Sequence, residues 1–345
     1  MKERVERLRA GLEEPLLVAG EANIRYLTGF SSSNAALLVE PERAFVYSDF
    51  RYAEAGRALE TVEFVETKRN LWSDLAERLS GRIGFEADAL TYAQYETLSG
   101  GGLDLVPRRG LVEALRAVKD DSELEAIRRA AAITNEAYER LAGEQFTGRT
   151  ERELAWLMDE LFHKLEAAGP AFETIVAAGA GSARPHARPG VTRLEPGQTV
   201  VIDAGARVDG YCADCTRTFS TGPLPDRLRE AYEACLEGQA AGLGAVRAGT
   251  SGVDADAAAR NVIEAAGFGD AFGHGLGHGV GLEVHEAPRL SRESRDTLAA
   301  GNVVTVEPGI YLEGLGGIRI EDLVVVGDDG PEVLTTFTKD PVTVD

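Results

Sequence analysis

Three of the chain's five histidines fall within twelve positions, in Gly273-His274-Gly-Leu-Gly-His278-Gly-Val-Gly-Leu-Glu-Val-His285-Glu. A lone histidine is usually structural, but imidazoles interleaved with glycines can bring side chains and backbone close to one site. Acids join them. Val200-Val-Ile-Asp203 and Val303-Val-Thr-Val-Glu307 end apolar, strand-like runs on carboxylates, and Asp214 and Glu321 follow on the returning strands. Four crowded carboxylates repel and raise one another's pKa unless a cation neutralises them. Four carboxylates and one neutral imidazole total −4, which balances two divalent cations and leaves one cation two charges short. Oxygen-rich ligation with a single nitrogen favours manganese first, with cobalt, iron or zinc as alternatives.

The elements that must position these groups are legible as patterns. Leu194-Glu-Pro-Gly197-Gln-Thr-Val200-Val-Ile-Asp203-Ala-Gly205 matches Leu298-Ala-Ala-Gly301-Asn-Val-Val304-Thr-Val-Glu307-Pro-Gly309 at a constant offset of 104. The echo predicts a duplicated half-domain whose two antiparallel hairpins each present a carboxylate pair. Their turns fall near Val208-Asp209 and at Gly314, where turn residues cluster. Strands are predicted at 174–177, 199–203, 211–219, 303–307 and 318–326, with helices at 228–246 and 253–266. Ser122 and Glu125 stand at capping-box spacing for a long helix, as do Thr150 and Glu153 for a second with an apolar stripe from Leu154 to Leu165. Helices beside hairpins indicate an α+β domain over 119–345. Ahead of it, residues 1–112 alternate short apolar runs (16–18, 36–39, 44–47, 62–65, 82–85, 103–106) with helical segments (49–59, 71–79, 91–98), the texture of a small α/β domain. Residues 110–119 read as a connecting helix.

Composition excludes several classes of function. The chain has 345 residues, with 36 Lys and Arg against 57 Asp and Glu, a net charge of −21. Such a field repels phosphate backbones and anionic membranes, so neither nucleic acid nor membrane is an expected partner. No stretch approaches the ~20 apolar residues of a membrane helix. Three cysteines, an odd and sparse set, fit a reducing compartment. With a charged N-terminus lacking an apolar signal core, this makes a cytoplasmic location the expectation.

Asp203, Asp214, His278, Glu307 and Glu321, in the phrases Val201-Ile-Asp203-Ala-Gly, Asp214-Cys-Thr-Arg-Thr-Phe219, Gly277-His-Gly-Val-Gly-Leu-Glu-Val-His285-Glu, Thr305-Val-Glu307-Pro-Gly-Ile-Tyr311 and Gly317-Ile-Arg-Ile-Glu321-Asp, resemble the ligand set of the pita-bread metallopeptidases. The likeness is to the Xaa-Pro branch, prolidases and aminopeptidases P. Asn23-Ile-Arg-Tyr-Leu-Thr-Gly-Phe30 and Asp49-Phe-Arg-Tyr52 look like that family's small N-terminal domain. The resemblance implies a pita-bread catalytic domain with two divalent metal ions. Asp203 would chelate one, His278 and Glu307 the other, with Asp214 and Glu321 bridging. It further implies that Glu307 shuttles a proton, that His186, His274 and His285 face substrate, and that Arg319 orients the bridging carboxylates. Small peptides with proline at the second position are the implied substrates, and a homodimer the implied assembly.

Other residues take plainer readings. His163 falls on an exposed helix face, and Cys212 and Cys215 pack around Asp214. Gly179-Ala-Gly181-Ser lacks the lysine and context of a phosphate loop. Within the resemblance, prolidase is the expected activity and aminopeptidase P the alternative. Methionine aminopeptidase, creatinase and a metal-free binding protein fit less well. A dipeptide carboxylate next to the proline ring needs a local cation, and Arg51 is one candidate, if it does not merely decorate a helix start.

Overall fold

The computed structural model describes residues 1–344; the last position of the expected second domain, Asp345, lies outside them. The chain divides into two units, the first spanning Met1–Arg116 and the second beginning at Ala117.

The first unit is built on a six-stranded mixed sheet. Its order is Glu63–Thr67, Ala44–Asp49, Ala35–Val39, Leu16–Val18, Arg82–Glu86, Asp104–Arg108. All six segments read as strands in the sequence are there. The 49–59 segment is a short 3-10 turn, Phe50–Tyr52, running into the helix Ala53–Arg57. Helices Lys2–Arg9 and Glu21–Thr28, unmarked by a strong apolar stripe, complete the layers.

The second unit is duplicated, and the repeat reaches well beyond the echoed segment. In one half, Ile175–Ala178, Thr199–Asp203 and Thr216–Ser220 pair antiparallel. In the other, Gly277–Gly279, Val303–Val306 and Asp322–Val326 do the same. Each half backs its sheet with a helix capped by a hydroxyl: Thr150 Oγ1 accepts from Glu153 N at 3.2 Å, and Ser251 Oγ accepts from Asp254 N at 3.0 Å. The apolar stripe of Glu151–Lys164, including Leu154, Met158 and Phe162, packs on Val200, Ile202 and Phe219. Ala255 and Ala259 of Gly252–Ala265 pack on Val304, Val306 and Val324. Even the strand-to-helix ties repeat, as Gly148 N donates to Leu194 O and Gly249 N to Leu298 O.

The structure corrects two details of the sequence reading. The capping box of the long helix Asp121–Leu141 is Asp120 with Glu123, two residues before the predicted pair, because Asp120 takes the amides of Ser122 and Glu123. The long returning strands are also broken. Segment 211–219 is Tyr211–Cys212 and Thr216–Ser220, and 318–326 is Gly316–Arg319 and Asp322–Val326. Both outgoing strands break as well, at Ala204-Gly205 and Glu307-Pro308. Pro308 has no N–H for a ladder, and a Cβ at Gly205 would collide with the Ala213 carbonyl across the gap. The turns stand where expected: Asp209 and Gly210 both have positive φ between Val208 and Tyr211, and Gly314 has φ 74° in the second hairpin.

Arg217 ties the halves together. Its side chain is 3% exposed and bonds Asp322 Oδ1 at 2.9 Å, while its other N–H groups reach the carbonyls of Thr216, Glu321, Thr335, Phe337 and Thr338. Arg217→Met leaves the Asp322 carboxylate buried with fewer donors and should cost about 3–5 kcal/mol. Denaturant unfolding checks this, and a loss under 1 kcal/mol would refute it.

Candidate metal centre

The strand breaks build the site. Asp203 closes its strand, Asp214 sits in the gap after Cys212, Glu307 follows Val306, and Glu321 lies between Arg319 and Asp322. A continuous strand alternates its side chains between two faces. The interruptions free Asp214, Glu307 and Glu321 from that alternation, and together with the strand-end Asp203 they line one cavity of about 600 Å³. His278 joins them from Gly277–Gly279, a short strand with a bulge at His278/Gly279. Flanking glycines allow this approach, since a Cβ at Gly277 or Gly279 would run into the Thr305 or Ala287 carbonyl.

The donors converge. Ligand atoms of Asp214, His278 and Glu321 all lie within 4.8 Å of one another. His278 Nδ1 meets Gly279 O at 3.1 Å; since a carbonyl only accepts, Nδ1 carries a proton, and Nε2 faces the acids, 3.2 Å from Glu307 Oε1 and 3.8 Å from Asp214 Oδ2. Thr216 Oγ1 donates to Glu321 Oε2 at 2.7 Å, and Thr305 Oγ1 to Glu307 Oε1 at 3.2 Å. Asp203 Oδ1 is buried with no hydrogen-bond partner.

Electrostatics asks for more positive charge. Burial and the neighbouring acids push the Asp214 and Glu321 carboxyls well above the ordinary carboxylate range. Burial raises Asp203 too, against the pull of Arg319. Burial would also raise Glu307, but its hydrogen bond to His278 and that ring's charge bring it down to about 2. An orphaned buried oxygen and an oxygen-rich donor set carrying one imidazole fit divalent cations well.

Arg319 is 4% exposed, and its contacts are more specific than the sequence indicated. Nη2 bonds Asp203 Oδ2 at 2.6 Å, Nε meets Thr216 Oγ1, and Nη1 reaches Pro185 O and Tyr311 OH. It therefore meets Asp203 directly and Glu321 only through Thr216. The histidines also differ among themselves. His274 lines the cavity, but Nδ1 is held by Gly275 O at 2.8 Å and Nε2 by Tyr311 OH at 2.9 Å. His186 and His285 line the same cavity on exposed segments, with no hydrogen bond at either ring among the described residues. His285 packs on His278 with ring centroids 4.3 Å apart. Both rings are free to meet a ligand.

Sequence reasoning missed Arg289, Tyr311 and Thr216 as functional groups. Arg289 lines the cavity, and its guanidinium has no hydrogen bond or ion pair among the described residues. Its place four positions beyond the cavity-lining His285, in the strand Glu286–Leu290, was the available signal. Arg51, by contrast, is bound by Asp49 at 2.9 and 2.7 Å, the plain helix-start role. His163 is exposed, as read. The three cysteines are buried, free thiols whose Sγ atoms meet the carbonyls of Leu282, Glu321 and Pro308. Burial pushes Cys212 up to about 11 and Cys235 up to about 12, which leaves them unreactive. Among the described residues, no helix is long and apolar enough to cross a membrane.

Residues 125–328 match the model of metallopeptidase family M24, and residues 4–118 match the creatinase/prolidase N-terminal domain. The chain is 35% identical to the Xaa-Pro dipeptidase of Pyrococcus furiosus, over 97% of this chain and 98% of that one. It superposes on an Xaa-Pro dipeptidase from Bacillus anthracis with TM-score 0.95 at 36% identity, covering 99% of each chain. An X-Pro aminopeptidase from Thermotoga maritima gives 0.90 at 35%, covering 99% of this chain and 100% of that one. The chain belongs to metallopeptidase family M24, with a creatinase/prolidase-type domain preceding the peptidase domain.

Proposed function

We propose that the protein is a dinuclear metallo-exopeptidase that hydrolyses the Xaa-Pro bond of dipeptides. The observation that carries this reading is the single cavity joining five metal-type donors, two unengaged imidazoles and the unpaired guanidinium of Arg289. Asp203, Asp214, His278, Glu307 and Glu321 would hold the two cations. The chemistry supplied by bound cations would be Lewis acidity toward the scissile carbonyl and a lowered pKa for the attacking water. Glu307 accepts that water's proton and returns it to the proline nitrogen as the bond breaks. His186 and His285 donate to the oxygen that gains charge in the tetrahedral state. His274 instead keeps Tyr311 against Arg319, and Arg319 keeps Asp203 aligned.

Arg289 supports the dipeptide reading. In so acidic a protein, a carboxylate one residue beyond the cleaved bond needs a cation, and this one stands beside His285. Manganese suits the donor set, and three buried thiols suit a reducing, cytoplasmic setting. The catalytic domain is taken as 119–345 and the preceding domain as 1–112, and the assembly as a homodimer.

A hydrolysis panel with Mn²⁺ tests the proposal. Ala-Pro should exceed Ala-Pro-Ala in kcat/KM by about tenfold or more, the worth of one charge-assisted contact. Arg289→Met should erase that margin by raising KM for Ala-Pro. Faster cleavage of Ala-Pro-Ala replaces the dipeptidase reading with aminopeptidase P, and preference for Met-Ala peptides overturns both.

A further inference from the structure

The histidine-bearing segment between Phe272 and Leu276 forms neither helix nor strand, and two of its five residues are glycine. Such a segment has little stiffness of its own. What holds it is a salt bridge on the helix Gly252–Ala265. Arg260 and Asp256 form a bidentate pair at 2.7 and 2.8 Å, with side chains 7% and 1% exposed. The remaining donors of Arg260 grip the segment: Nη1 bonds Phe272 O at 2.9 Å and Nη2 bonds His274 O at 2.7 Å. Its guanidinium also lies 4.0 Å from the centroid of the Phe272 ring, which packs edge-on against His274.

Asp256 completes the clamp. Its Oδ1 accepts from Leu276 N at 3.0 Å, and Leu276 O in turn accepts from Glu307 N at 2.8 Å. The pair therefore reaches the cavity by two routes. One runs through the His274 backbone to its ring, Tyr311 and Arg319; the other runs through Leu276 to the backbone of Glu307.

We propose that Asp256 and Arg260 are positioning residues for the hydrolysis, acting through His274 and Glu307 without touching substrate. This rests on the activity proposed above. A lysine at 260 keeps the charge but cannot hold a bidentate carboxylate and two carbonyls together.

The test is a double-mutant cycle on Mn²⁺-loaded enzyme with Ala-Pro, using Arg260→Met, Arg260→Lys and Asp256→Asn alone and with His274→Ala. Misplacement of a reacting group by about 1 Å costs on the order of 10²-fold. Arg260→Met and Arg260→Lys should each lower kcat ~10- to 100-fold, leaving KM within about threefold and the bound metal unchanged. Asp256→Asn keeps an acceptor for Leu276 N and should lose less, giving a folded variant if the arginine changes do not fold. In the His274→Ala background the loss from each variant should shrink markedly, because one of the two routes is already cut. Equal losses in both backgrounds, or full kcat in Arg260→Lys, would overturn the clamp. Absence of wild-type turnover of Ala-Pro bears instead on the proposed function.

Discussion

Exhaustive chelation should abolish turnover, and Mn²⁺ or Co²⁺ should restore it. His278→Ala should mimic the chelated state, while His285→Ala should keep its metal and lose ~10²–10³-fold in kcat, the scale of one lost oxyanion donor. The two histidines differ in what they face. His278 presents Nε2 to Glu307 and Asp214, whereas the ring of His285 packs edge-on against that of His278, with no acid bonded among the described residues. Elemental analysis of each purified variant, read with its rate, separates them. An emptied site in His285→Ala would show the assignment of ligand and substrate groups to be wrong, and activity surviving chelation would remove the metal mechanism.

The second large effect belongs to Arg319. Arg319→Met should destabilise the metal-free protein by about 3–5 kcal/mol, because it strands the Asp203 carboxylate, whose other oxygen is already unpartnered. It should also cut turnover of the metal-loaded enzyme by at least ~10²-fold, since Asp203 and the Pro185 end of the His186 segment lose a shared anchor. Cations offset the acids, so the stability loss should be smaller with Mn²⁺ present. Thermal unfolding with and without metal checks the contrast. An equal loss in both conditions would mean that Arg319 serves the fold rather than the site. Arg319→Lys should recover little of the rate, because an ammonium cannot span Asp203, Thr216 and Tyr311 at once.

Much of this architecture was legible in the sequence, for identifiable reasons. Acids ending apolar runs marked the cavity, and a constant offset marked the duplication. Asp209-Gly210 and Gly314 marked the turns, because left-handed backbone restricts residue choice. The strand breaks were hidden, since Ala213, Cys215 and Ile320 are as apolar as any strand interior and only pairing reveals the interruption. The capping box slid because Asp120, Asp121 and Ser122 all suit an N-cap and both Glu123 and Glu125 can answer one. Arg217 and Arg260 were invisible as site supports. An arginine in a strand and an i,i+4 pair on a helix read as surface chemistry until burial is known.

The three thiols add a property that catalysis does not use. Each Sγ rests on a carbonyl next to the site: Cys215 on Glu321, Cys235 on Pro308, Cys212 on the Leu282 end of the His285 segment. No alkylating reagent reaches them while those contacts stand. Their labelling therefore times how often the native enzyme breathes open around its acids, and a bound cation slows that clock.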